Sequence, residues 1–222
     1  MSWLIDPHCH TAEHSYDGRI PAADLAARLY ALGFGGVVFT DHNYCWPAEE
    51  LQALRASAAL APDFVVLSGQ EVRTALDGVT TGDLLVYGPV APIPDDTSPM
   101  EVFRLAREAN GFCIAPHPAV PRIGFGAQVE SFPVAGIEVW NGRHGEAANR
   151  RARELWERVG GAATGGSDAH HPADIGGGGT VLARPIATLA ELGAALMAGE
   201  SAPWKPGVSG MWSRLKMRAT GH

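Results

Sequence analysis

The chain has 222 residues, which is enough for one domain with a large buried core. Hydrophobic residues make up 46% and charged residues 18%, a balance typical of a globular protein in water. The net charge of −7 argues against a large basic surface for nucleic acid or for anionic membranes.

The cysteines and the apolar runs bear on the compartment in which the protein is expected. Cys9, Cys45 and Cys113 are odd in number, widely spaced and without a CxxC pair, so a disulfide framework is not expected. The N-terminal residues lack the pattern of a signal peptide, and no apolar run approaches the roughly 20 residues of a membrane span. We therefore expect a cytoplasmic protein that does not bind membranes.

Short β-like runs alternate with amphipathic helices along most of the chain. In chain order, the pattern predicts a strand at Trp3–Asp6, a helix at 21–32, a strand at 36–40, a helix at 47–60, strands at 65–71 and 84–88, a helix at 98–110, strands at Phe112–Ala115 and 137–139, a helix at Glu146–Val159, strands at 162–165 and Gly179–Leu182, and a helix at 188–198. Capping boxes begin the helices at Ser98 and Thr188. Residues 201–222 are basic and lack a clear period. We expect a domain at 1–200, with 201–222 as a tail packed on it or extending from it.

Histidine and acidic residues follow the C-terminal ends of six predicted strands. In strand order they are Asp6, His8 and His10; Asp41 and His42; Glu71; His117; Glu138, with Asn141 beside it; and Asp168 and His170. The strand ends of a parallel barrel all converge on one face, whereas in an open sheet only those at the switch point contribute. The pattern favours a barrel with its active site at the C-terminal ends of the strands.

The types and spacing of these residues predict a metal centre. His8 and His10 lie two apart in an extended segment, so both face one side, and Asp168 and His170 repeat this spacing. Nitrogen and carboxylate ligands suit Zn, Mn or Fe(II) better than calcium, and one ion needs about three or four of them. A single buried histidine is more often a core residue, but independent core histidines have no reason to collect at strand ends. The eight candidates, which imply more than one ion, are His8, His10, Asp17, His42, Glu71, His117, Asp168 and His170. Of the loop histidines, His14 and His144 are close enough to this site in sequence to contact a substrate.

Six motifs resemble those of the polymerase and histidinol phosphatase (PHP) family, in that family's order. They are DPHCH at 6–10, SYDG at 15–18, TDHN at 40–43, the glutamate of GQE at 69–71, the histidine of APHP at 115–118 and GSDAH at 166–170. EVWNG at 138–142 and the glycine-rich stretch after GSDAH resemble the short, stand-alone phosphoesterase branch of the family. The resemblance covers nearly the whole chain. It implies a distorted (β/α)7 TIM-like barrel and the metal-dependent hydrolysis of phosphate esters.

The resemblance also implies how the ligands are shared among two or three divalent ions. By motif, the first ion would be held by His8, His10, Glu71 and Asp168, the second by Glu71 and His117, and the third by Asp17, His42 and His170. Many family members carry a further histidine on the strand after the bridging glutamate, where this chain has Asp83. Either Asp83 is an oxygen ligand, or the second site is weaker.

A phosphoesterase mechanism needs a nucleophile, a cation for the phosphoryl oxygens and an acid. Water shared by two metal ions is acidified and supplies a hydroxide that attacks phosphorus in line. The cation must be an arginine, because the only lysines lie near the C-terminus. Arg19 and Arg143 are the first candidates and Arg122 is the third. His170 or a metal-bound water would protonate the leaving oxygen.

Two other functions stay open at this point. Amidohydrolases that cleave C–N or C–O bonds also use HxH on a barrel strand, but many bridge their metals with a carboxylated lysine, which Glu71 would have to replace. A catalytically inactive, metal-binding regulatory module is the second alternative. For the phosphoesterase, the expected partner is a small phosphorylated substrate or the end of a nucleotide or oligonucleotide. The sequence does not choose among these substrates and does not indicate the oligomeric state.

Overall fold

The computed structural model describes residues 3–207 and has ten strands and five α-helices in this part of the chain. The strands are β1 (Trp3–Asp6), β2 (Gly36–Phe39), β3 (Val65–Ser68), β4 (Gln70–Leu76), β5 (Val79–Tyr87), β6 (Phe112–Ala115), β7 (Gly136–Asn141), β8 (Ala162–Gly166), β9 (Gly179–Leu182) and β10 (Ser201–Trp204). The helices are α1 (Ala22–Ala31), α2 (Ala48–Ser57), α3 (Pro99–Glu108), α4 (Glu146–Val159) and α5 (Leu189–Met197). None of these helices combines the length and apolar character that crossing a membrane requires.

All five predicted helices are confirmed, and α4 has the predicted bounds. The Ser98 side chain accepts a hydrogen bond from the Glu101 N–H at the start of α3, and Thr188 forms a reciprocal capping box with Glu191 at the start of α5. Pro21 and Pro47 sit at the N-caps of α1 and α2, one residue before each helix. The local capping signals therefore set the helix starts well.

The strands form two five-stranded sheets. In the first, the order is β10-β9-β1-β2-β3, with β1, β2 and β3 parallel and β9 antiparallel to both of its neighbours. In the second, the order is β4-β5-β6-β7-β8, with β6, β7 and β8 parallel and β5 antiparallel to both of its neighbours. Each sheet thus contributes three parallel strands that end on the same side.

The mixed α/β class is confirmed, but the predicted (β/α)7 barrel is not. Within residues 3–207 the strand ladders do not close into one ring. Single bridges link the two sheets. One joins Cys9 and Ala169, just beyond β1 and β8, and the other joins His42, just beyond β2, to Glu71 near the start of β4. One buried apolar cluster includes Ile5 and Val38 of the first sheet together with Ile114 of the second. The sheets therefore share a core, and the bridges bring their carboxyl ends together.

The predicted strand at 65–71 divides into β3 and β4 at Gly69, and the reason is a close backbone approach. A Cβ at Gly69 would lie 2.7 Å from the Val86 carbonyl oxygen and 2.9 Å from the Tyr87 ring. The chain passes so close to β5 here that only glycine fits. As a result β4 joins the second sheet, and it carries Glu71 with it.

The sequence pattern did not predict β10, which lies at the start of the proposed tail. Its four residues include Pro203, which is compatible with a strand at the edge of a sheet but gives no periodic signal. Ser201–Trp204 pairs with β9, so the first residues of the tail belong to the first sheet. Residues 208–222 lie outside the described residues, and the boundary at residue 200 stays a prediction.

Candidate metal centre

The structure brings the eight predicted ligands together at the carboxyl ends of the parallel strands. They form three overlapping groups, and within each group one ligand atom per residue lies within 4.8 Å of the others. The groups are His8, His10 and Asp168; His8, Glu71 and His117; and His10, Asp17, His42 and His170. Six of the eight side chains belong to buried residues, which is uncommon for charged groups that have no partner.

Glu71 lies at the middle of the cluster and uses both carboxylate oxygens. Its Oε1 is 3.0 Å from His117 Nε2, whereas its Oε2 is 3.1 Å from His10 Nε2 and 3.6 Å from His8 Nε2. The same Oε2 is 3.7 Å from His42 Nδ1. A carboxylate with different histidines at its two oxygens has the arrangement of a bridging ligand.

The backbone after β1 explains why His8 and His10 face the cluster. The His10 N–H donates to the Ala169 carbonyl, and the Asp168 N–H donates to the His8 carbonyl, so the two segments pair like short parallel strands. Cys9 points the opposite way, and its thiol lies 3.5 Å from the Val38 carbonyl oxygen. The alternation expected for an extended HxH segment is present.

Two of the ligand candidates have a left-handed backbone. His117 has a φ of +30° and Asp168 a φ of +53°, and each lies two residues beyond the end of its strand. Residues other than glycine rarely adopt this region, which costs on the order of 1–3 kcal/mol and tends to occur at functional sites. These turns place the side chains beside the strand ends.

Glu138 and Asn141 hold several of the candidate ligands in place by hydrogen bonds. Glu138 Oε1 accepts from His8 Nδ1 at 2.9 Å, and its Oε2 accepts from the His117 backbone N–H and from Asn141 Nδ2, both at 2.9 Å. Asn141 Nδ2 also donates to Asp168 Oδ2 at 3.0 Å. Because a carboxylate only accepts, the hydrogen of neutral His8 is on Nδ1, and Nε2 is free to bind a metal.

Gly166 makes room for this arrangement. A Cβ at Gly166 would lie 2.5 Å from the Cβ of His8 and 2.6 Å from Glu138 Oε1. Glu138 follows a predicted strand in the sequence, but the residue pattern does not assign it to the ligand set or to another role. The signal was its position in the EVWNG motif, which does not distinguish a ligand from a residue that orients one.

Other polar residues at the strand ends connect loops instead of joining the ligand groups. Asp6 Oδ1 accepts from the N–H groups of His8 and Ser167. Asp41 accepts from the backbone and hydroxyl of Thr11 and from Trp46 Nε1. The six strand ends of the sequence pattern thus supply both candidate ligands and the residues that support them.

The electrostatics of the cluster are those of closely packed opposite charges. Burial opposes protonation of His10, but hydrogen bonds and charge interactions with Asp168 and Glu71 outweigh it and raise the pKa of His10 to about 9. Burial likewise opposes ionisation of Glu71 and Asp168, yet the surrounding histidines hold the pKa of each carboxyl well below its usual range. The protons on these histidines neutralise the carboxylates, and a bound divalent cation can take the place of those protons.

The donor set fits divalent cations. Asp17 Oδ2 is 3.1 Å from His170 Nε2 and 3.4 Å from His42 Nε2. Its Oδ1 is buried and has no hydrogen-bond partner among residues 3–207. An unpartnered buried oxygen is costly, and a bound cation would satisfy it. Nitrogen and carboxylate donors of this kind are typical of Mn, Fe and Zn sites.

The three arginines that are candidates for binding phosphoryl oxygens occupy different positions around the cluster. Arg19 Nη1 donates to the backbone carbonyls of Tyr16 and Gly18, within the loop that carries Asp17. Arg143 Nη1 lies 3.0 Å from His170 Nδ1, so this arginine reaches the centre directly. Arg122 is exposed in the loop after His117.

The two loop histidines that are candidates for contacting substrate, His14 and His144, also differ in their distance from the cluster. His14 stacks on Tyr44 with ring centroids 3.7 Å apart and lies 3.3 Å from Glu50, so it faces α2. His144 Nε2 lies 3.8 Å from Asp168 Oδ2 and has no hydrogen-bond partner in the described part of the chain. Only His144 therefore lies beside the ligands.

The fold and this cluster define a mixed α/β protein with a buried His/Asp/Glu centre. A family model described as PHP-associated matches residues 146–201, about a quarter of the chain. A comparison with curated proteins finds no similar sequence. Over residues 146–201 the match to the family model agrees with the family resemblance of the motifs.

Three solved structures illustrate the likeness in fold. A proposed metal-dependent phosphoesterase from Bifidobacterium adolescentis is 18% identical, with a TM-score of 0.59 over 75% of this chain and 87% of that one. An amidohydrolase from Chromobacterium violaceum, solved with sulfate and no metal, is 15% identical, with a TM-score of 0.59 over 96% of both chains. The lesion-specific endonuclease Q of Pyrococcus furiosus is 13% identical, with a TM-score of 0.63 over 91% of this chain and 58% of that one.

Proposed function

We propose that the protein is a metal-dependent phosphoesterase that hydrolyses a phosphomonoester or the end of a nucleotide or oligonucleotide. The observation that carries this proposal is the convergence of eight His, Asp and Glu side chains into three overlapping groups with Glu71 between them. A cluster of this size is suited to two or three divalent ions, with Mn, Fe and Zn as the candidates. Such ions, when bound, acidify water and neutralise charge on phosphoryl oxygens.

The residues around the cluster would orient the ligands and the substrate. Glu138 and Asn141 fix His8 and Asp168, so that the ligand atoms keep their positions during turnover. Arg143 would donate to a phosphoryl oxygen, and the position of its guanidinium beside His170 supports this role. The proton for the leaving oxygen would come from His170, whose Nε2 lies 3.1 Å from Asp17 Oδ2, when that nitrogen holds no ion, and from a water molecule when it does.

The comparisons support a hydrolase but leave the substrate open. The similar structures include a proposed metal-dependent phosphoesterase and an endonuclease, and this chain spans only 58% of the endonuclease. The net charge of −7 opposes binding of a long duplex, since most non-specific affinity for DNA comes from basic side chains. A small phosphate ester or a strand end fits these charges better.

An amidohydrolase reaction is the second candidate, because one similar structure is an amidohydrolase. The carboxylated lysine common in such enzymes has no counterpart among residues 3–207. Lys205 binds Glu146 at 2.7 Å and lies over the Trp140 ring, away from Glu71. The third candidate function, an inactive regulatory module, is disfavoured because the cluster of candidate ligands is complete.

Three chromogenic substrates separate these functions, of which two release 4-nitrophenol and the third releases 4-nitroaniline. Protein loaded with Mn(II) should hydrolyse 4-nitrophenyl phosphate, with little action on 4-nitrophenyl acetate or on a 4-nitroanilide. Metal-stripped protein and the variant Asp168→Asn are the controls, and both should lose the phosphatase activity. Preference for the acetate or the anilide would favour the amidohydrolase, whereas inactivity on all three and on a panel of nucleotides would favour the regulatory module.

A further inference from the structure

Arg73 lies beside the candidate metal centre and within a strand, so the pattern of residues at strand ends does not indicate it. It is two residues beyond Glu71 on β4, so the two side chains project from the same face of the strand. Directly opposite it in the β4–β5 ladder is Asp83. The pair therefore occupies the same surface of the sheet as the central carboxylate.

The guanidinium of Arg73 is held loosely from two sides. Its Nε is 3.8 Å from Asp83 Oδ1, and its Nη2 donates to the Tyr16 hydroxyl at 3.3 Å. Within the described chain this is the only hydrogen bond that the Arg73 side chain makes, and the side chain is 36% exposed. Most of its five N–H donors are therefore free to bind an anion.

Tyr16 connects this arginine to the third ligand group. The tyrosine ring stacks on His42 with centroids 4.9 Å apart and planes 20° apart, while the residue remains 62% exposed. The hydroxyl that receives the Arg73 hydrogen bond thus belongs to a ring that packs on a candidate ligand. This contact places the guanidinium at the edge of the centre.

Asp83 is a buried carboxylate that the sequence left open as an oxygen ligand. It lies outside all three ligand groups, is only 3% exposed, and its Oδ1 lacks a hydrogen-bond partner in residues 3–207. Arg73 is the cation that faces it. A buried carboxylate opposite a half-exposed arginine is suited to orienting that arginine.

We infer that Arg73 is a substrate-binding residue that donates to the phosphoryl oxygens, with Asp83 and Tyr16 as the residues that position it. The inference rests on the proposed function and adds a second cation to Arg143. It also assigns Asp83 a role other than that of a metal ligand. The guanidinium would grip the phosphate in the plane of its fork, which lysine does not reproduce.

The test measures binding of inorganic phosphate to Mn(II)-loaded protein by calorimetry, together with KM and kcat for 4-nitrophenyl phosphate and the metal content of each variant. Arg73→Ala and Arg73→Gln should each weaken phosphate binding and raise KM by about ten- to a hundredfold, the worth of one charge-assisted contact. Arg73→Lys should recover part of this loss. Glutamine keeps the length of the side chain, so it guards against an effect of lost packing. Arg184→Ala is the matched control, because Arg184 is a partly exposed arginine paired with Glu200 beyond the opposite ends of the strands.

Asp83→Asn distinguishes positioning from two other roles. If Asp83 positions Arg73, the variant binds phosphate more weakly and kcat changes less than KM, with metal content unchanged. If Asp83 affects phosphate only through its negative charge, the variant should bind phosphate more tightly, because that charge repels the anion. Loss of a metal ion would identify Asp83 as a ligand. Either of these two results would overturn the positioning role.

The outcomes also separate this inference from the proposed function. If the parent binds phosphate and hydrolyses the ester while both neutral Arg73 variants match it, the inference is wrong and the phosphoesterase stands. If the metal-loaded parent neither binds phosphate nor cleaves any phosphate ester, both are wrong.

Discussion

Glu138→Gln is the substitution whose effect follows most directly from the hydrogen bonds at the centre. The Glu138 carboxylate accepts from three donors, which are His8 Nδ1, the His117 N–H and Asn141 Nδ2, each at 2.9 Å. Glutamine has the same shape but offers one oxygen, and its other terminal atom is itself a donor. In either amide orientation, at least one buried donor faces an N–H₂ group.

The substitution should lower both the free energy of unfolding and the affinity for metal. A buried donor without an acceptor costs about 1–3 kcal/mol, so metal-free Glu138→Gln should lose that much unfolding free energy. Loss of the acceptor at His8 Nδ1 also leaves a candidate ligand less well oriented. Substitution of such an orienting residue typically lowers metal affinity or activity about ten- to a hundredfold, and we expect this for Mn(II).

Urea unfolding of the metal-free protein measures the first effect, and competition with a chelator for Mn(II) measures the second. Glu130→Gln is the matched control, because Glu130 forms an exposed ion pair with Arg158 at 2.8 Å. Exposed pairs contribute about 0–1 kcal/mol, so this variant should stay near the parent in stability and in metal affinity. If Glu138→Gln matches the parent in both measurements, Glu138 does not hold the ligands and our account of the centre is wrong.

Four further variants and one pH series test other parts of the proposed centre. Glu71→Gln should abolish nearly all turnover while circular dichroism shows a retained fold, because an uncharged amide cannot serve two cations; substantial turnover would make Glu71 structural. In metal-free protein the pKa of His10 is raised to about 9 from an ordinary value near 6.5, so its contribution to stability is complete below about pH 6.5 and is lost as the pH rises through 9. Urea unfolding across this range should show that decline, and His10→Gln should flatten it. Arg143→Ala should lower kcat/KM about ten- to a hundredfold with unchanged metal content. Arg19→Ala should lower it as much only if, in the parent, the Arg19 guanidinium leaves the carbonyls of Tyr16 and Gly18 to bind the substrate. Equal kcat/KM for parent and Arg143→Ala would remove Arg143 from the site.

The ligand cluster was predictable because it depends on a local rule. Residues just beyond parallel strands end at one edge of a sheet, and two-residue spacing puts His8 and His10 on one side. Neither inference requires knowing which strand pairs with which. The helix starts at Ser98 and Thr188 are equally local, since each is encoded within four residues.

The features that were missed depend on contacts between distant segments. The break at Gly69 results from the approach of β5, and β10 exists because Ser201–Trp204 pairs with β9. Arg73 lies within a strand and gains its position from Asp83 across the ladder, so no strand-end rule could find it. The choice between a closed barrel and two sheets likewise depends on strand pairing, which side-chain pattern alone does not specify.

The central claim is a multinuclear metal centre built from the eight side chains around Glu71. Elemental analysis of the protein after removal of bound metal, reloading with Mn(II) and desalting tests this claim most directly. We expect at least two ions per chain in the parent and a lower content in Glu71→Gln. Fewer than one ion per chain in the parent would contradict it.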